Sequence, residues 1–195
     1  MVFQIIGFVI LALFYGCYFG KMLNQRKKGI ETDQMGKGKV GFVKAVEMTL
    51  KVVTILAPLA EIVSIILNTA PFDNRLRIMG AVIGLLGVFV FAASVITMKD
   101  SWRAGVSEAE KTDLVTDGIY QISRNPAFLG FDLVYIGLLL MFFNWFLLGI
   151  SALAMLMLHL QIVNVEEDFL IEAFGQEYLE YRKRVCRYLG RKFWK

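Results

Sequence analysis

The chain has 195 residues, of which 57% are hydrophobic and only 19% charged, with a net charge of +4. A soluble domain carries about a quarter charged residues, whereas several apolar runs here reach the roughly 20 residues that cross a bilayer. The basic residues flank those runs and form no aromatic-interleaved ribbon, which argues against nucleic-acid binding; one His, with Cys17 and Cys186 far apart, leaves no donor set for a classical zinc site.

Residues 2–22 form the first apolar run, and Lys21, Arg26, Lys27 and Lys28 lie at its end. A secretory leader has its basic residues before the apolar stretch, so a retained helix with its N-terminus outside is expected. Residues 24–41 are polar, and Gly29, Gly36, Gly38 and Gly41 favour a flexible connection. Residues 42–68 read as a second helix. In it Glu47 and Lys51 share one face and should pair, and Pro58 should kink the backbone. Glu61 lies deeper, either as a functional carboxylate or bonded to a neighbouring helix. Residues 76–98 form a third helix, whose Gly80, Gly84 and Gly87 suit close helix packing.

Residues 99–126 are the longest polar interval between apolar runs. The runs 127–143 and 145–163 follow, separated only by Asn144, which predicts a tight antiparallel hairpin packed along its length. Its first arm barely crosses a hydrocarbon core of about 30 Å, so its cytosolic start should lie below the membrane surface and form a pocket. Beyond Val165 the chain turns charged and amphipathic, with Gly175 suited to a helix C-cap. Tyr178, Tyr181 and a basic tail of Arg182, Lys183, Arg184, Arg187, Arg191, Lys192 and Lys195 come next. Placing the basic loops inside puts 24–41, 99–126 and the tail in the cytosol, leaving Arg75 and Arg77 opposite. The expected fold is an all-α integral membrane protein of about five transmembrane helices, with a cytosolic C-terminal helical segment. Residues 1–98 would be a three-helix scaffold. Residues 99–195 would supply the cytosolic loop, the hairpin and the C-terminal segment around the site, within one structural domain overall.

Asn125-Pro126 is a helix start, since Asn is a favoured N-cap and Pro suits the first turn. A helix N-terminus with Arg124 beside it would also attract a carboxylate or phosphate. Glu166 and Glu167 begin the charged segment after the other hairpin arm, so the hairpin should bring them to Arg124. An anion site facing carboxylates suits a zwitterionic ligand with a ribose, such as S-adenosylmethionine. The alternative is a salt bridge from Arg124 to a glutamate that merely pins the hairpin.

The stretch Leu114-Val115-x-x-Gly118-Ile119-Tyr120-x-x-x-Arg124-Asn125-Pro126-x-Phe128-x-Gly130 resembles the LVxxGIYxxxRHPxYxG signature of isoprenylcysteine carboxyl and phospholipid methyltransferases. The segment Glu166-Glu167-x-x-Leu170-x-x-x-Phe174-Gly175-x-x-Tyr178-x-x-Tyr181-x-x-x-Val185 resembles the second half of that signature. Together they cover about residues 99–188, while residues 1–98 match only as membrane helices. The resemblance implies an enzyme that uses S-adenosylmethionine and releases S-adenosylhomocysteine. It implies a cofactor site lined by Arg124, Asn125, Pro126, Phe128 and Leu129, with Glu166 and Glu167 opposite and Val115, Gly118 and Tyr120 adding backbone and ring contacts. Asn125 and Phe128 stand where the signature has His and Tyr, and Val185-Cys186-Arg187 lacks the proline that often follows.

Methyl transfer mainly requires alignment of the nucleophile with the methyl group. Arg103 or Arg124 would hold a carboxylate acceptor, and Glu167 is the expected proton acceptor for an amine or thiol. Trp102 is either near the substrate mouth or an interfacial anchor. His159, seven residues before Glu166, falls on roughly the same face but is expected to bond a neighbouring helix. The acceptor would be lipophilic or lipidated and would arrive through the bilayer, with no metal required. Two other readings are a sterol-type reductase using NADPH, against which the paired glutamates argue, and a non-catalytic membrane scaffold or small-transport module.

Overall fold

The computed structural model describes residues 1–106 and 113–191; Lys192 and Lys195 of the basic tail lie outside the described residues. It is an all-helical membrane protein. The helices are α1 (Val2–Lys27), α2 (Gly41–Leu67), α3 (Asn74–Met98), α4 (Pro126–Met141), α5 (Trp145–Gln161) and α6 (Glu167–Arg184). Short 3-10 turns span Lys99–Ser101 and Gly118–Gln121, and a π turn spans Ile162–Glu166.

Local chemistry sets the boundaries. Asp73 caps α3 by accepting from the Leu76 N–H at 3.0 Å, and Asn144 caps α5 by accepting from Leu147 at 2.8 Å. Asn68 turns left-handed (φ 49°) to end α2, a conformation Asn tolerates better than most residues. The helix continues through Pro58. Among the described residues, four helical stretches are long and apolar enough to span a membrane: Val2–Lys27, Gly41–Leu67, Asn74–Ser101 and Trp145–Arg184. In the last, the crossing part is α5, because α6 carries Glu167, Asp168, Glu172, Glu177, Glu180 and a basic end. Such charges are costly in hydrocarbon. The apolar α4 has 16 residues and so rises only about 24 Å. Ile5, Leu13, Ile55, Leu59, Ile66, Phe89 and Ile96 point outward, where lipid rather than water is their solvent.

The tightest packing joins α3 to α4. A Cβ on Gly137 would lie 2.5 Å from the Gly84 nitrogen, one on Gly80 2.6 Å from the Gly137 carbonyl, and one on Gly87 2.8 Å from the Gly130 carbonyl. The two backbones therefore touch, as small residues permit in lipid. This corrects the expected hairpin: α4 packs mainly on α3, and α5 mainly on α2. Two causes are visible. The glycine face of α4 is already taken by α3, and the Asn144 amide donates to Ser64 Oγ of α2 at 2.8 Å, steering α5 across. Phe14, Phe91, Phe131 and Trp102 meet in edge-to-face and tilted pairs at the centre of the bundle.

The connection after α1 is held along part of its length, contrary to the expected flexible link. The Gln34 N–H donates to the Ala104 carbonyl at 2.8 Å, and the Ala104 N–H to the Thr32 carbonyl at 2.9 Å. Gln25 anchors the Trp102 carbonyl at 2.8 Å. The anticipated Glu47–Lys51 pair does not form. Lys51 pairs with Asp33 of this connection, while the buried Glu47 accepts from the Gly36 N–H at 2.6 Å and from Gln161 at 3.3 Å.

Candidate active site

The 3-10 turn at Gly118–Gln121 delivers the chain to Arg124. Gly118 has φ +56°, and a Cβ there would press on Thr97 at 3.1 Å. Tyr120 is fixed from both ends: its hydroxyl pairs with Ser94 Oγ at 2.8 Å, and its carbonyl accepts from the Tyr181 hydroxyl at 2.6 Å. Burial pushes the Tyr120 phenol well above its ordinary range despite the Ser94 bond.

Arg124 is buried, and all three of its guanidinium nitrogens have partners. Nε donates to the Val185 carbonyl at 3.2 Å, Nη1 to the Tyr178 hydroxyl at 2.6 Å, and Nη2 contacts Glu167 at 3.0 Å. Glu167 also takes Arg187 through Nε and Nη2 at 2.8 and 3.0 Å, with Arg182 at 3.7 Å. Burial opposes ionisation of this carboxyl, yet Arg187, Arg124 and Arg182 together hold it below its usual range. In return, the bond to Glu167 raises Arg187 against the cost of burial. Arg124 and Glu167 therefore do meet, through the turn back of α6.

Residues 185–191 close over the start of α4. The Arg124 N–H donates to the Cys186 carbonyl at 3.1 Å, and the Gly190 N–H to the Ile122 carbonyl at 2.7 Å. Asn125 does stand at the N-cap position with Pro126 first in the helix, but its side chain makes no cap bond. Its amide instead donates to the Arg187 carbonyl at 3.0 Å. The expected capping gives way to tail docking.

A cavity of about 120 Å³ opens beside this clamp. Of the residues anticipated for the site, Arg103, Val115, Tyr120, Arg124, Asn125, Phe128 and Glu166 form its wall. Gly118, Pro126, Leu129 and Glu167 do not: Gly118 shapes the turn, Pro126 starts α4 and Glu167 fastens Arg124. The wall also includes Asp113 and Phe169, which sequence reading did not single out, and Phe174, which it named only as part of the signature. Phe169 and Phe174 carried a signal, an apolar face alternating with acidic residues. The Glu166 carboxyl is pushed up to about 7, chiefly by burial and also by Glu47, with Gln161 opposing the shift.

A second cavity, of about 510 Å³ and largely apolar, adjoins the first. The two share Trp102, Arg103, Gly105, Ala127 and Phe128. From that shared wall the larger cavity runs between α1 and α2, past Tyr18, Lys51, Thr54 and Pro58. A small chamber whose wall carries Arg103, Asp113, Arg124, Asn125 and Glu166 thus meets a larger apolar one across Phe128 and Arg103. His159 lies outside both; its Nδ1 pairs with the Tyr188 hydroxyl at 2.6 Å and docks the tail on α5.

The family profile described as "Phospholipid methyltransferase" matches residues 76–177. A protein-S-isoprenylcysteine O-methyltransferase of Saccharomyces cerevisiae is 32% identical over 110 residues, covering 55% of this chain and 46% of the relative. The B form from Arabidopsis thaliana is 32% identical over 107 residues, 52% of each chain. The Mus musculus protein is 37% identical over 83 residues, covering 41% of this chain and 29% of its own. The chain spans about half the length of the first curated relatives it matches.

Proposed function

The chain belongs to the phospholipid methyltransferase family, and on that premise we propose that it is a membrane-embedded methyltransferase using S-adenosylmethionine on a lipophilic acceptor. The observation that carries this reading is the junction of the two cavities at Arg103 and Phe128. A donor site with charged groups on its wall and an apolar acceptor site must adjoin if a methyl group is to pass between them.

The residues of the smaller cavity fit the donor. Glu166 offers a carboxyl to ribose hydroxyls or to an ammonium, Asn125 shares the wall with it, and Phe128 and Phe174 provide apolar faces for a purine. When bound, S-adenosylmethionine would supply an electrophilic sulfonium methyl. The chain's own contribution is alignment, which converts an encounter into a fixed approach. Arg103, on the shared wall, would hold a carboxylate acceptor such as the one implied by the relatives' names, and that nucleophile needs no base. For an amine or thiol acceptor, Glu166 is better placed to take the proton than Glu167, which is committed to three arginines. Arg124 and Glu167 act here as positioning residues that hold α6 and the tail against α4. The donor site would thus belong to the 99–191 part of the chain, and the acceptor cavity would borrow α1 and α2. The distribution of Lys and Arg supports a cytosolic site with the N-terminus outside.

The test uses detergent-solubilised full chain. Calorimetric titration with S-adenosylhomocysteine should give saturable binding, weakened about tenfold by Glu166→Gln, since a bond to a charged group contributes about 1.5–3 kcal/mol. Incubation with methyl-labelled S-adenosylmethionine and an S-prenylcysteine should label the acceptor. Absence of S-adenosylhomocysteine binding would refute the reading.

A further inference from the structure

The larger cavity is largely apolar, yet its wall carries three charged side chains among the described residues: Asp33, Lys51 and Arg103. Two are cations and one is an anion, so that wall has a net positive charge. The three belong to one end of the cavity. Ala104, next to Arg103, is bonded to both neighbours of Asp33: its carbonyl accepts from the Gln34 N–H at 2.8 Å, and its N–H donates to the Thr32 carbonyl at 2.9 Å. Lys51 Nζ reaches Asp33 Oδ2 at 2.5 Å. Beyond Lys51 the lining continues along α2 through the apolar Ile55, Pro58 and Ile62. Glu47, one turn before Lys51, is engaged by the Gly36 N–H at 2.6 Å and by Gln161 at 3.3 Å, which leaves Asp33 as the carboxylate for Lys51.

The two members of this pair differ in freedom. Asp33 is fixed by the Ala104 bonds on either side of it, and its Oδ1 accepts from the Met35 N–H at 3.2 Å. Lys51 ends a flexible four-carbon stem with three rotatable donors. Their side chains are 38% and 40% exposed, and an ion pair that wet contributes little to stability and exchanges partners at low cost. The cation can therefore leave while the anion stays. We propose that Lys51 is a second head-group cation of the acceptor cavity, held by Asp33 until a lipophilic acid binds and then shared with that acid's carboxylate beside Arg103. This deepens the reading of the larger cavity as the acceptor site and rests on it. Asp33 competes for Lys51, so the wall responds to an anionic head and ignores a neutral one. Esterification forms an O–CH3 bond while the electron pair of the broken S–CH3 bond stays on sulfur; the head loses its charge and no proton is released. Lys51 then returns to Asp33, and the ester is held less well than the acid. Residues 33 and 51 lie outside the 76–177 segment matched by the family profile, so this selection would be a property of the N-terminal part of the chain.

The test measures binding of dodecanoate and methyl dodecanoate to the detergent-solubilised full chain by isothermal titration calorimetry, at one detergent concentration so that partition into micelles cancels between variants. Lys51→Met should weaken dodecanoate about fivefold, the upper end for a half-exposed ion pair, and Lys51→Arg should restore most of it. Asp33→Asn, which keeps an acceptor for the Met35 N–H, should act in the opposite direction and tighten dodecanoate by a similar factor. Methyl dodecanoate should bind all four proteins alike, with melting temperature confirming that the variants fold. Unchanged dodecanoate affinity in either Lys51→Met or Asp33→Asn would overturn the proposal, as would weaker binding in Asp33→Asn. Parallel shifts for acid and ester would also overturn it, since the pair would then shape the cavity without reading charge. Each of these results leaves the acceptor cavity standing. Failure of dodecanoate to bind the unsubstituted protein would remove the acceptor cavity together with the proposal, while S-adenosylhomocysteine binding reports separately on the donor site.

Discussion

Replacing Glu167 by Gln tests whether the arginine clamp holds the site together. Its most buried partner, Arg124, has a side chain only 4% exposed, and removing one member of a buried ion pair costs about 3–5 kcal/mol. Arg124 keeps its bonds to Tyr178 and Val185, which places the loss near the lower end, about 3 kcal/mol. Arg187 and Arg182 are 31% and 41% exposed, so together they add no more than about 1 kcal/mol. The remaining amide oxygen restores about 1 kcal/mol by accepting one neutral hydrogen bond. The net destabilisation is about 3 kcal/mol, or a melting temperature lower by about 6–12 °C for a chain of this length. Thermal unfolding in detergent, followed by circular dichroism, measures it, and Arg187→Ala in the same assay should cost much less. A shift below about 2 °C for Glu167→Gln would show that the clamp contributes little, and the account of Arg124 and Glu167 as positioning residues would fail.

Glu166 should behave oppositely. Its carboxyl is raised from 4.5 in the unfolded chain to about 7 in the fold, so the native state holds its proton more tightly. The contribution of Glu166 to stability is then greatest below about pH 4.5 and falls as pH rises towards about 7, by about 3 kcal/mol in all. Glu166→Gln should flatten this slope in melting curves taken across that range, and an unchanged slope would contradict the burial argument. Gly137→Ala should lower the melting point by an amount matching about 1–3 kcal/mol, as overpacking does, because its methyl would meet the Gly84 backbone at 2.5 Å. Gly149→Ala, with nothing within 4 Å of the new methyl, should instead stabilise by up to about 1 kcal/mol. Ser94→Ala should cost about 1–3 kcal/mol by stranding the buried Tyr120 hydroxyl; an unchanged melting point would mean that water replaces the serine.

The helices and the motif that marks the site were legible in the sequence, because apolar length and N-cap chemistry are local. Partner choice was not. The glycines of α3 announced a close approach without saying that α4, rather than another helix, would supply the opposing surface. Glu47 and Lys51 sit at pairing distance on α2, yet Asp33 and Gly36 reach them from a connection whose path no periodicity encodes. The division of labour between Glu166 and Glu167 was hidden for a different reason. The π turn at Ile162–Glu166 inserts an extra residue and turns the following face by roughly 100°, so spacing counted from His159 misplaces it. His159 consequently faces Tyr188, while Glu166 faces the cavity. Residues 185–191 read in the sequence as part of a basic tail near the site, whereas most of their bonds to the start of α4 run through backbone groups that side-chain identity does not reveal.

The closure of residues 185–191 over α4 orders events during biosynthesis. A nascent chain translated as far as Gln161 already contains every membrane-crossing helix among the described residues. It still lacks Glu166, Phe169, Phe174 and Tyr181, one whole side of the smaller chamber. Membrane insertion and completion of the smaller chamber are therefore separate steps, with the apolar chamber formed first. Lipid can fill that chamber before the smaller one has its second wall.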